Sequence, residues 1–207
     1  MKEKTAIITG GNKGIGLSIT EAFVKAGYFV IVGARNKIDL NKKFGKKVIF
    51  VKIDVCKESS HNLLVKTARK KTGRVDVYIN NAGISQWKAI KRINQETINK
   101  ILNTNLVGTL WGCKAAASIL KKGGNIINIS SIAGKRGTAN NSLYCASKFG
   151  VNGITQSLSK ELGPRGIRVN SVCPVLIPTK GLIKALHEND SPSKKKAMQF
   201  INNFAKQ

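Results

Sequence analysis

Six short apolar runs recur along the chain, and helical patterns separate most of them. The runs are rich in β-branched residues, which is typical of buried strands, and they cover Lys4–Thr9, Tyr28–Gly33, Lys47–Ile53, Arg74–Ile79, Gly124–Ser130 and Gly166–Val172. The helical patterns cover Leu17–Ala26, Glu58–Lys71, Glu96–Lys121 and Leu143–Leu162. Strands and helices in such alternation form a parallel sheet that is covered on both faces. The sequence therefore predicts an α/β fold, a doubly wound parallel sheet of about six strands in three layers (αβα).

A glycine-rich turn joins the first strand to the first helix. It has the sequence Thr9-Gly-Gly-Asn-Lys-Gly-Ile-Gly16. Glycines let the backbone approach a pyrophosphate closely, and the following helix N-terminus offers it unpaired N–H groups and the positive end of a dipole. In this context the turn predicts a Rossmann-type dinucleotide site, whereas the same pattern elsewhere in a chain indicates little.

The end of the second strand carries a cation rather than an acid. Folds that bind NAD often place a carboxylate here for the ribose 2′-hydroxyl, but this strand is followed by Ala34-Arg-Asn36. Arg35 and Lys13 can instead hold a 2′-phosphate, which favours NADP(H) over NAD(H) as the cofactor. The alternative is that both are ordinary surface cations.

Polar residues follow the third and fourth strands at the same predicted edge of the sheet. Asp54 can accept a hydrogen bond from an adenine amino group, or it can cap the helix that begins near Glu58, and the two roles are compatible. The sequence Asn80-Asn-Ala-Gly83 follows the fourth strand. Its two amides can link neighbouring strands, while the small residues beside them let a ligand pass close.

A polar triplet interrupts the long helical pattern of Glu96–Lys121. Asn103-Thr-Asn105 lies within it, and such side chains compete with the backbone for its hydrogen bonds. We therefore expect a local distortion with a functional purpose at Asn105.

Tyr144 and Lys148 lie four residues apart near the start of the last long helix. Residues at this spacing share one helical face. A nearby ammonium favours the phenolate and lowers the phenol pKa from its usual value of about 10. Such a phenol can donate a proton to a carbonyl oxygen and take one back from an alcohol. By itself, however, this pair of residues is common on helix surfaces.

The chain is strongly basic, with 36 Lys and Arg against 10 Asp and Glu and a formal net charge of +26. This excess could attract nucleic acid or anionic lipid. The cations are mostly lysines spread along the chain, without a dense arginine cluster or an aromatic platform for bases. We interpret the charge as a solvated surface that also draws in anionic ligands such as a dinucleotide.

The remaining composition predicts one domain in a reducing compartment. The length of 207 residues and the 42% hydrophobic content suffice for a single core, so we predict one dinucleotide-binding domain over 1–207 with an atypical lysine-rich tail at 182–207. The four cysteines and two histidines show no metal-site spacing. With no signal peptide and no apolar run of membrane-spanning length, we expect a cytoplasmic protein.

Five motifs, in their order and spacing, resemble those of the short-chain dehydrogenase/reductase family. They are Thr9–Gly16, Asn80–Gly83, Asn105, Ser131 and the pair Tyr144 and Lys148. The resemblance covers about residues 4–180 and is nearest to the 3-oxoacyl-carrier-protein reductase-like and carbonyl reductase-like branches. It implies an NAD(P)-dependent oxidoreductase acting on CH–OH donors.

The resemblance also implies a role for each motif residue. Tyr144 is implied to be the general acid in reduction, with Lys148 lowering its pKa and binding the nicotinamide ribose. Ser131 is implied to polarise the substrate carbonyl, and Asn105 to anchor a water that links Lys148 to solvent. The implied cofactor-binding residues are Gly10, Asn12, Lys13, Gly14, Ile15, Gly16, Arg35, Asp54, Val55, Asn81, Ala82, Gly83, Tyr144, Lys148, Pro174 and Thr179.

Two departures from the family pattern lie near the C-terminus. Val175 follows Pro174 where the family usually has glycine, and no seventh-strand pattern follows Thr179. That region usually covers the substrate and builds the homo-oligomer, so we expect an incomplete C-terminal interface. Leu143, Ser85, Trp87 and the segment 176–185 are expected to line the substrate pocket.

Three functions are compatible with the sequence. The favoured one is NADPH-dependent reduction of a small-molecule or acyl-thioester carbonyl, without a membrane partner. The second is a non-catalytic nucleotide-binding or interaction protein, which the shortened C-terminus and Val175 suggest. The third, a nucleic-acid binder, rests on the net charge alone.

Overall fold

The computed structural model describes residues 3–191 and Gln199. The predicted lysine-rich tail therefore lies largely outside the described residues. For the same reason, the single domain over 1–207 stays a prediction.

Six strands form one parallel sheet, as predicted. They are β1 (Thr5–Thr9), β2 (Phe29–Ala34), β3 (Val48–Lys52), β4 (Val77–Asn80), β5 (Asn125–Ile129) and β6 (Arg168–Val172). Their order is β3-β2-β1-β4-β5-β6, and every neighbouring pair is parallel. Strands β1 to β3 form one half of the sheet and β4 to β6 form the other, and the two halves meet between β1 and β4. In folds of this kind a ligand crevice lies beyond the carboxyl ends of the strands at that point. Within residues 3–191 no strand follows β6.

Helices connect the strands and cover both faces of the sheet. They are α1 (Gly14–Lys25), α2 (Asn41–Phe44), α3 (Glu58–Thr72), α4 (Gln95–Leu102), α5 (Gly108–Ile119), α6 (Ser142–Leu162) and α7 (Lys180–Leu186). None of the helices among the described residues combines the length and the apolar character that crossing a membrane requires.

Alternate side chains of the central strands point into two separate apolar clusters. Ile7 and Ile31 belong to the cluster that contains Leu64 of α3 and Ala116 of α5. Their strand neighbours, including Ile8, belong to the cluster on which α1 packs. Because both faces of the central strands β1, β2 and β4 are buried, these strands appear in the sequence as continuous apolar runs.

The predicted distortion at Asn105 is confirmed. The long helical pattern is divided into α4 and α5 by a five-residue π-helical segment, Asn103–Val107. Inside it, the Asn105 carbonyl accepts a hydrogen bond of 2.7 Å from the Thr109 hydroxyl. Such segments are rare and occur frequently at functional sites.

Candidate active site

Four predicted side chains come together beyond the carboxyl ends of β4 and β5. Tyr144 and Lys148 lie on α6, and the Lys148 Nζ atom is 5.8 Å from the centre of the Tyr144 ring. Ser131, two residues after β5, lies close enough to interact with the Tyr144 hydroxyl. A Cβ atom added to Gly83 would lie 3.3 Å from Asn105 Oδ1 and 3.6 Å from Lys148 Nζ. The fold thus gathers an amine, a phenol, a hydroxyl and a carboxamide around one point.

Lys148 is a buried amine with one backbone partner. Its side chain is 4% exposed, and Nζ donates a hydrogen bond of 2.8 Å to the carbonyl of Ile129 at the end of β5. Burial lowers the pKa of Lys148 to about 8, and the nearby Cys173 acts in the opposite direction. The amine therefore titrates much nearer to neutral pH than a surface lysine does.

Burial dominates the acidity of Tyr144 as well. It raises the pKa of the phenol, because a phenolate is poorly solvated there, and the interaction with Ser131 only partly offsets this. The expectation that Lys148 brings the phenol pKa below its usual value is therefore wrong for this structure. The physical reason is that desolvation acts on both members of the pair and pushes their pKa values in opposite directions.

Ser131 is fixed by the turn that follows it. Its Oγ atom accepts a hydrogen bond of 3.1 Å from the N–H of Ala133, in a short 3₁₀ turn over Ile132–Gly134. That bond uses a lone pair of Oγ and leaves the O–H free to donate to another acceptor. Ser131 can therefore donate to an oxygen atom that also faces the phenol.

Both polar atoms of the Asn105 carboxamide form hydrogen bonds within the protein. Its Oδ1 accepts from the N–H of Ile84, and its Nδ2 donates to the carbonyl of Ile84, each at 2.8 Å. Nδ2 also donates to Ser147 Oγ at 3.1 Å. The side chain thus fixes the loop after β4 to α6, while its implied water-binding role stays a prediction. Sequence reasoning missed Ser147, a small polar residue one turn from Tyr144.

The glycine turn fits a pyrophosphate. Gly10 has a φ of +66°, and a Cβ atom added to Gly16 would lie 2.2 Å from the Gly10 carbonyl oxygen, so the turn tolerates no side chain there. Helix α1 starts at Gly14 without a side-chain cap and without an acidic residue in its first turn. Its first N–H groups and its dipole are therefore available to an anion.

One of the two predicted cations follows β2 and the other lies in the glycine turn. Arg35 and Lys13 are both exposed. Asn12 is buried, and its Nδ2 donates a hydrogen bond of 2.9 Å to the carbonyl of Asn36. This bond ties the glycine turn to the segment that carries Arg35, so the Asn12 side chain supports this end of the site from within the protein.

Asp54 does not cap α3. The residue before that helix is Lys57, and no side chain caps the helix N-terminus. The Asp54 carboxylate instead accepts a hydrogen bond of 3.0 Å from the N–H of Cys56. The capping alternative is therefore wrong, because Asp54 closes a local turn ahead of the helix. The neighbouring Val55 carbonyl accepts a bond of 3.0 Å from His61.

The two amides at the end of β4 link neighbouring strands, as predicted. Asn80 Nδ2 donates to Asn128 Oδ1 at 2.9 Å, which joins β4 to β5. Asn81 Nδ2 donates to the carbonyls of Thr9 and Gly10 at 2.9 and 3.2 Å. Asn81 and the following Ala82 therefore lie directly against Gly10 of the glycine turn, while Gly83 lies beside Asn105 and Lys148.

Two other predicted residues connect the last loop to the site. Thr179 caps α7 by accepting a hydrogen bond of 3.2 Å from the N–H of Leu182. Its methyl group lies 3.4 Å from the position of a Cβ atom on Gly14, so α7 starts beside the glycine turn. The Pro174 carbonyl accepts a bond of 3.1 Å from the N–H of Ile132.

Residues after α7 attach it to the loop that follows β4. The Glu188 carboxylate accepts a hydrogen bond of 2.7 Å from the N–H of Trp87, and Asp190 accepts one of 2.9 Å from the N–H of Ala89. Asp190 also pairs with Arg92. We call Glu188 and Asp190 the acidic clasp. Sequence reasoning missed it, although two acids at alternate positions stand out in so basic a chain.

An apolar contact lies beneath the acidic clasp. Leu186 of α7 is fully buried, and it packs with Leu182 and Trp87. The predicted pocket residue Trp87 is therefore covered by α7, which places the helix against the loop that follows β4.

Comparisons with known proteins agree with this geometry. A sequence model of the family described as short chain dehydrogenase matches residues 4–190. The chain is 36% identical over 195 residues to the 3-oxoacyl-(acyl-carrier-protein) reductase FabG of Chlamydia trachomatis, with 90% of this chain and 78% of that protein covered. It is 36% identical over 181 residues to carbonyl reductase family member 4 of Danio rerio, with 85% and 76% covered.

A solved structure extends the likeness to three dimensions. The structure of a variant of actinorhodin polyketide ketoreductase with NADPH superposes with a TM-score of 0.87 at 29% sequence identity. The match covers 99% of this chain and 82% of the ketoreductase chain.

Proposed function

Because the chain belongs to the short-chain dehydrogenase family and is an NAD(P)-dependent oxidoreductase, we propose that it transfers hydride between NADPH and a carbonyl or alcohol group. Tyr144 is the general acid in reduction and the general base in oxidation. The observation that carries the proposal is the meeting of Tyr144, Ser131 and Lys148 beside Gly83. A carbonyl oxygen at that point would face two hydroxyl donors and one cation.

The side chains of the site divide the work of reduction between them. When bound, the reduced nicotinamide supplies the hydride for the carbonyl carbon. Ser131 donates a hydrogen bond to the carbonyl oxygen, and Tyr144 transfers its proton to that oxygen as negative charge develops there. The raised pKa of Tyr144 keeps the phenol protonated at neutral pH. Lys148, largely protonated below its pKa of about 8, stabilises the resulting tyrosinate.

The cofactor preference follows from charge at the end of β2. Arg35, just after β2, and Lys13, in the glycine turn, are both exposed. The residues Ala34-Arg-Asn36 offer no carboxylate for a ribose 2′-hydroxyl. A 2′-phosphate on the cofactor would form ion pairs with these two cations, whereas a free 2′-hydroxyl would find no carboxylate to accept its hydrogen bond. NADPH is therefore the preferred cofactor.

The proposed substrate is a ketone, an aldehyde or an acyl thioester. The named activities of the relatives include reduction of 3-oxoacyl groups on acyl carrier protein and of carbonyl compounds. The net charge of +26 favours a substrate that carries negative charge. All four cysteines are free thiols, which suits the reducing cytoplasm as the place of the reaction.

Turnover measurements test the proposal directly. The purified protein is mixed with NADPH and a panel of ketones, aldehydes and acyl thioesters, and the loss of NADPH absorbance is followed. Tyr144→Phe is the matched control, because it removes a single oxygen atom, and it should lower kcat by about 10²- to 10⁴-fold. Unchanged turnover in that variant rejects the role of Tyr144. Binding of NADPH without turnover of any carbonyl indicates a non-catalytic nucleotide-binding protein instead.

A further inference from the structure

The loop that carries Ser131 is attached to α6 by two buried side chains. Asn152 Nδ2 donates a hydrogen bond of 2.8 Å to the carbonyl of Gly134, and Ser130 Oγ donates one of 3.1 Å to the carbonyl of Lys148. Asn152 is 6% exposed and Ser130 is 3% exposed. Both bonds therefore join the Ser131 loop to the helix that bears Tyr144, away from solvent competition.

The loop and the helix approach each other as closely as the backbone allows. A Cβ atom added to Gly134 would lie 2.7 Å from the Lys148 carbonyl oxygen and 2.8 Å from both Asn152 Nδ2 and Ser130 Oγ. Because Gly134 has no side chain, its carbonyl can reach the Asn152 amide. Gly134 is thus the point at which the Ser131 loop packs directly on α6.

Asn152 occupies a particular position on α6. Tyr144, Lys148 and Asn152 follow one another at intervals of four residues, so they lie on one face of the helix. The other end of the Asn152 carboxamide faces Cys173, whose Sγ atom is 3.9 Å from Oδ1. Asn152 therefore lies between the loop after β5 and the loop after β6, directly behind the groups that meet the substrate.

We propose that Asn152 is a positioning residue of the reductase site, which sets Ser131 against Tyr144 by holding Gly134 on α6. This inference rests on the proposed function. A donor that stabilises a developing oxyanion works only when it is held in place before the reaction, and a misplacement of 1 Å can cost a factor of about a hundred in rate. A buried asparagine with a purely structural role would affect folding without affecting Ser131 in particular.

A matched control lies one turn further along the same helix. Thr155 is also 6% exposed, and its Oγ1 atom accepts a hydrogen bond of 3.0 Å from Asn128. Thr155→Val removes this bond and the one that Oγ1 donates to the Val151 carbonyl, without touching the Ser131 loop. Asn152→Leu removes the bond to Gly134 while keeping the number and the branching of the side-chain heavy atoms. Thr155→Val should leave kcat unchanged, whereas Asn152→Leu should lower it by up to about a hundredfold.

The decisive measurement is a double-mutant cycle with Ser131→Ala. If Asn152 acts through Ser131, Asn152→Leu should change kcat by less than about twofold in the Ser131→Ala background. The pH profile gives a second readout, because Asn152→Leu should raise the pKa that Tyr144 contributes, as Ser131→Ala does. Equal losses in both backgrounds, or equal losses in Asn152→Leu and Thr155→Val, overturn the proposal. If Asn152→Leu does not fold, kcat is measured for Asn152→Ser in the same double-mutant cycle.

Hydrogen exchange separates this inference from the proposed function. In Asn152→Leu, the amides of residues 132–136 should exchange faster than in wild type, because Gly134 is released from α6; in Thr155→Val they should not. This holds whether or not a substrate is turned over. Unchanged exchange in Asn152→Leu overturns the positioning role, while wild-type protein that never oxidises NADPH overturns the reductase assignment alone.

Discussion

The Lys148 ammonium lies 5.8 Å from the centre of the Tyr144 ring and directs its hydrogen bond to the carbonyl of Ile129. The amine is thus close enough to stabilise a tyrosinate, while its hydrogen bond to the last residue of β5 fixes its position. Burial lowers the pKa of the amine and raises the pKa of the phenol. At neutral pH the pair therefore consists of an ammonium and a neutral phenol, which is the combination that reduction of a carbonyl requires.

The first prediction is that carbonyl reduction slows as the pH rises through about 8. In that range Lys148 loses its proton, while Tyr144, whose pKa is raised, keeps its own. A neutral amine no longer stabilises the tyrosinate, so kcat should fall. The measurement is kcat against pH for the wild type and for Lys148→Arg, whose cation persists at high pH. A wild-type profile that stays level through pH 8 would contradict the assignment.

The second prediction concerns stability, because a buried ammonium is costly. The folded-state pKa of Lys148 is depressed from 10.5 to about 8, so the unfolded chain binds more protons between these values and stability rises with pH there. Such a shift corresponds to about 3 kcal/mol. Lys148→Met should therefore unfold at a higher denaturant concentration than wild type at pH 7, and the difference should shrink toward pH 10.5. A constant difference across this range would exclude the linkage.

The sequence predicted the parts of the site that depend on local periodicity. The apolar runs predicted all six strands, and the spacing of Tyr144 and Lys148 predicted their common face. The polar triplet ending at Asn105 predicted a distortion that the structure shows as a π-helical segment. These signals need only a few neighbouring residues, which is why a single chain reveals them.

The parts that depend on three-dimensional contacts were not predictable in the same way. Glu188 meets Trp87 across 101 residues of chain, and no periodic pattern reports such a contact. The sign of the pKa change at Tyr144 depends on burial, which spacing on a helix does not give. Asp54 is a residue type that often caps helices, but α3 begins at Glu58, and Lys57 occupies the N-cap position without a side-chain hydrogen bond.

The third prediction is that Arg35 selects the cofactor. Arg35→Asp places a carboxylate where it can accept a hydrogen bond from a ribose 2′-hydroxyl, and it removes a cation that would bind the 2′-phosphate. The ratio of kcat/KM for NADPH to that for NADH should fall by about 10- to 100-fold, as expected when a charge-assisted hydrogen bond of about 1.5–3 kcal/mol is lost. Lys37→Asp, an equal charge change at an exposed neighbour, is the control and should leave the ratio within about twofold.

The fourth prediction is that the acidic clasp holds α7 over the substrate pocket. The double variant Glu188→Ala/Asp190→Ala removes the acceptors for the N–H groups of Trp87 and Ala89. The KM for the carbonyl substrate should rise by about 3- to 10-fold, and Trp87 should show red-shifted fluorescence as Leu186 withdraws. Glu161→Ala, an exposed acid on α6, should change neither. Because the clasp is electrostatic, high salt should raise the wild-type KM toward that of the double variant. If neither salt nor the double substitution changes the KM, α7 stays in place without the clasp.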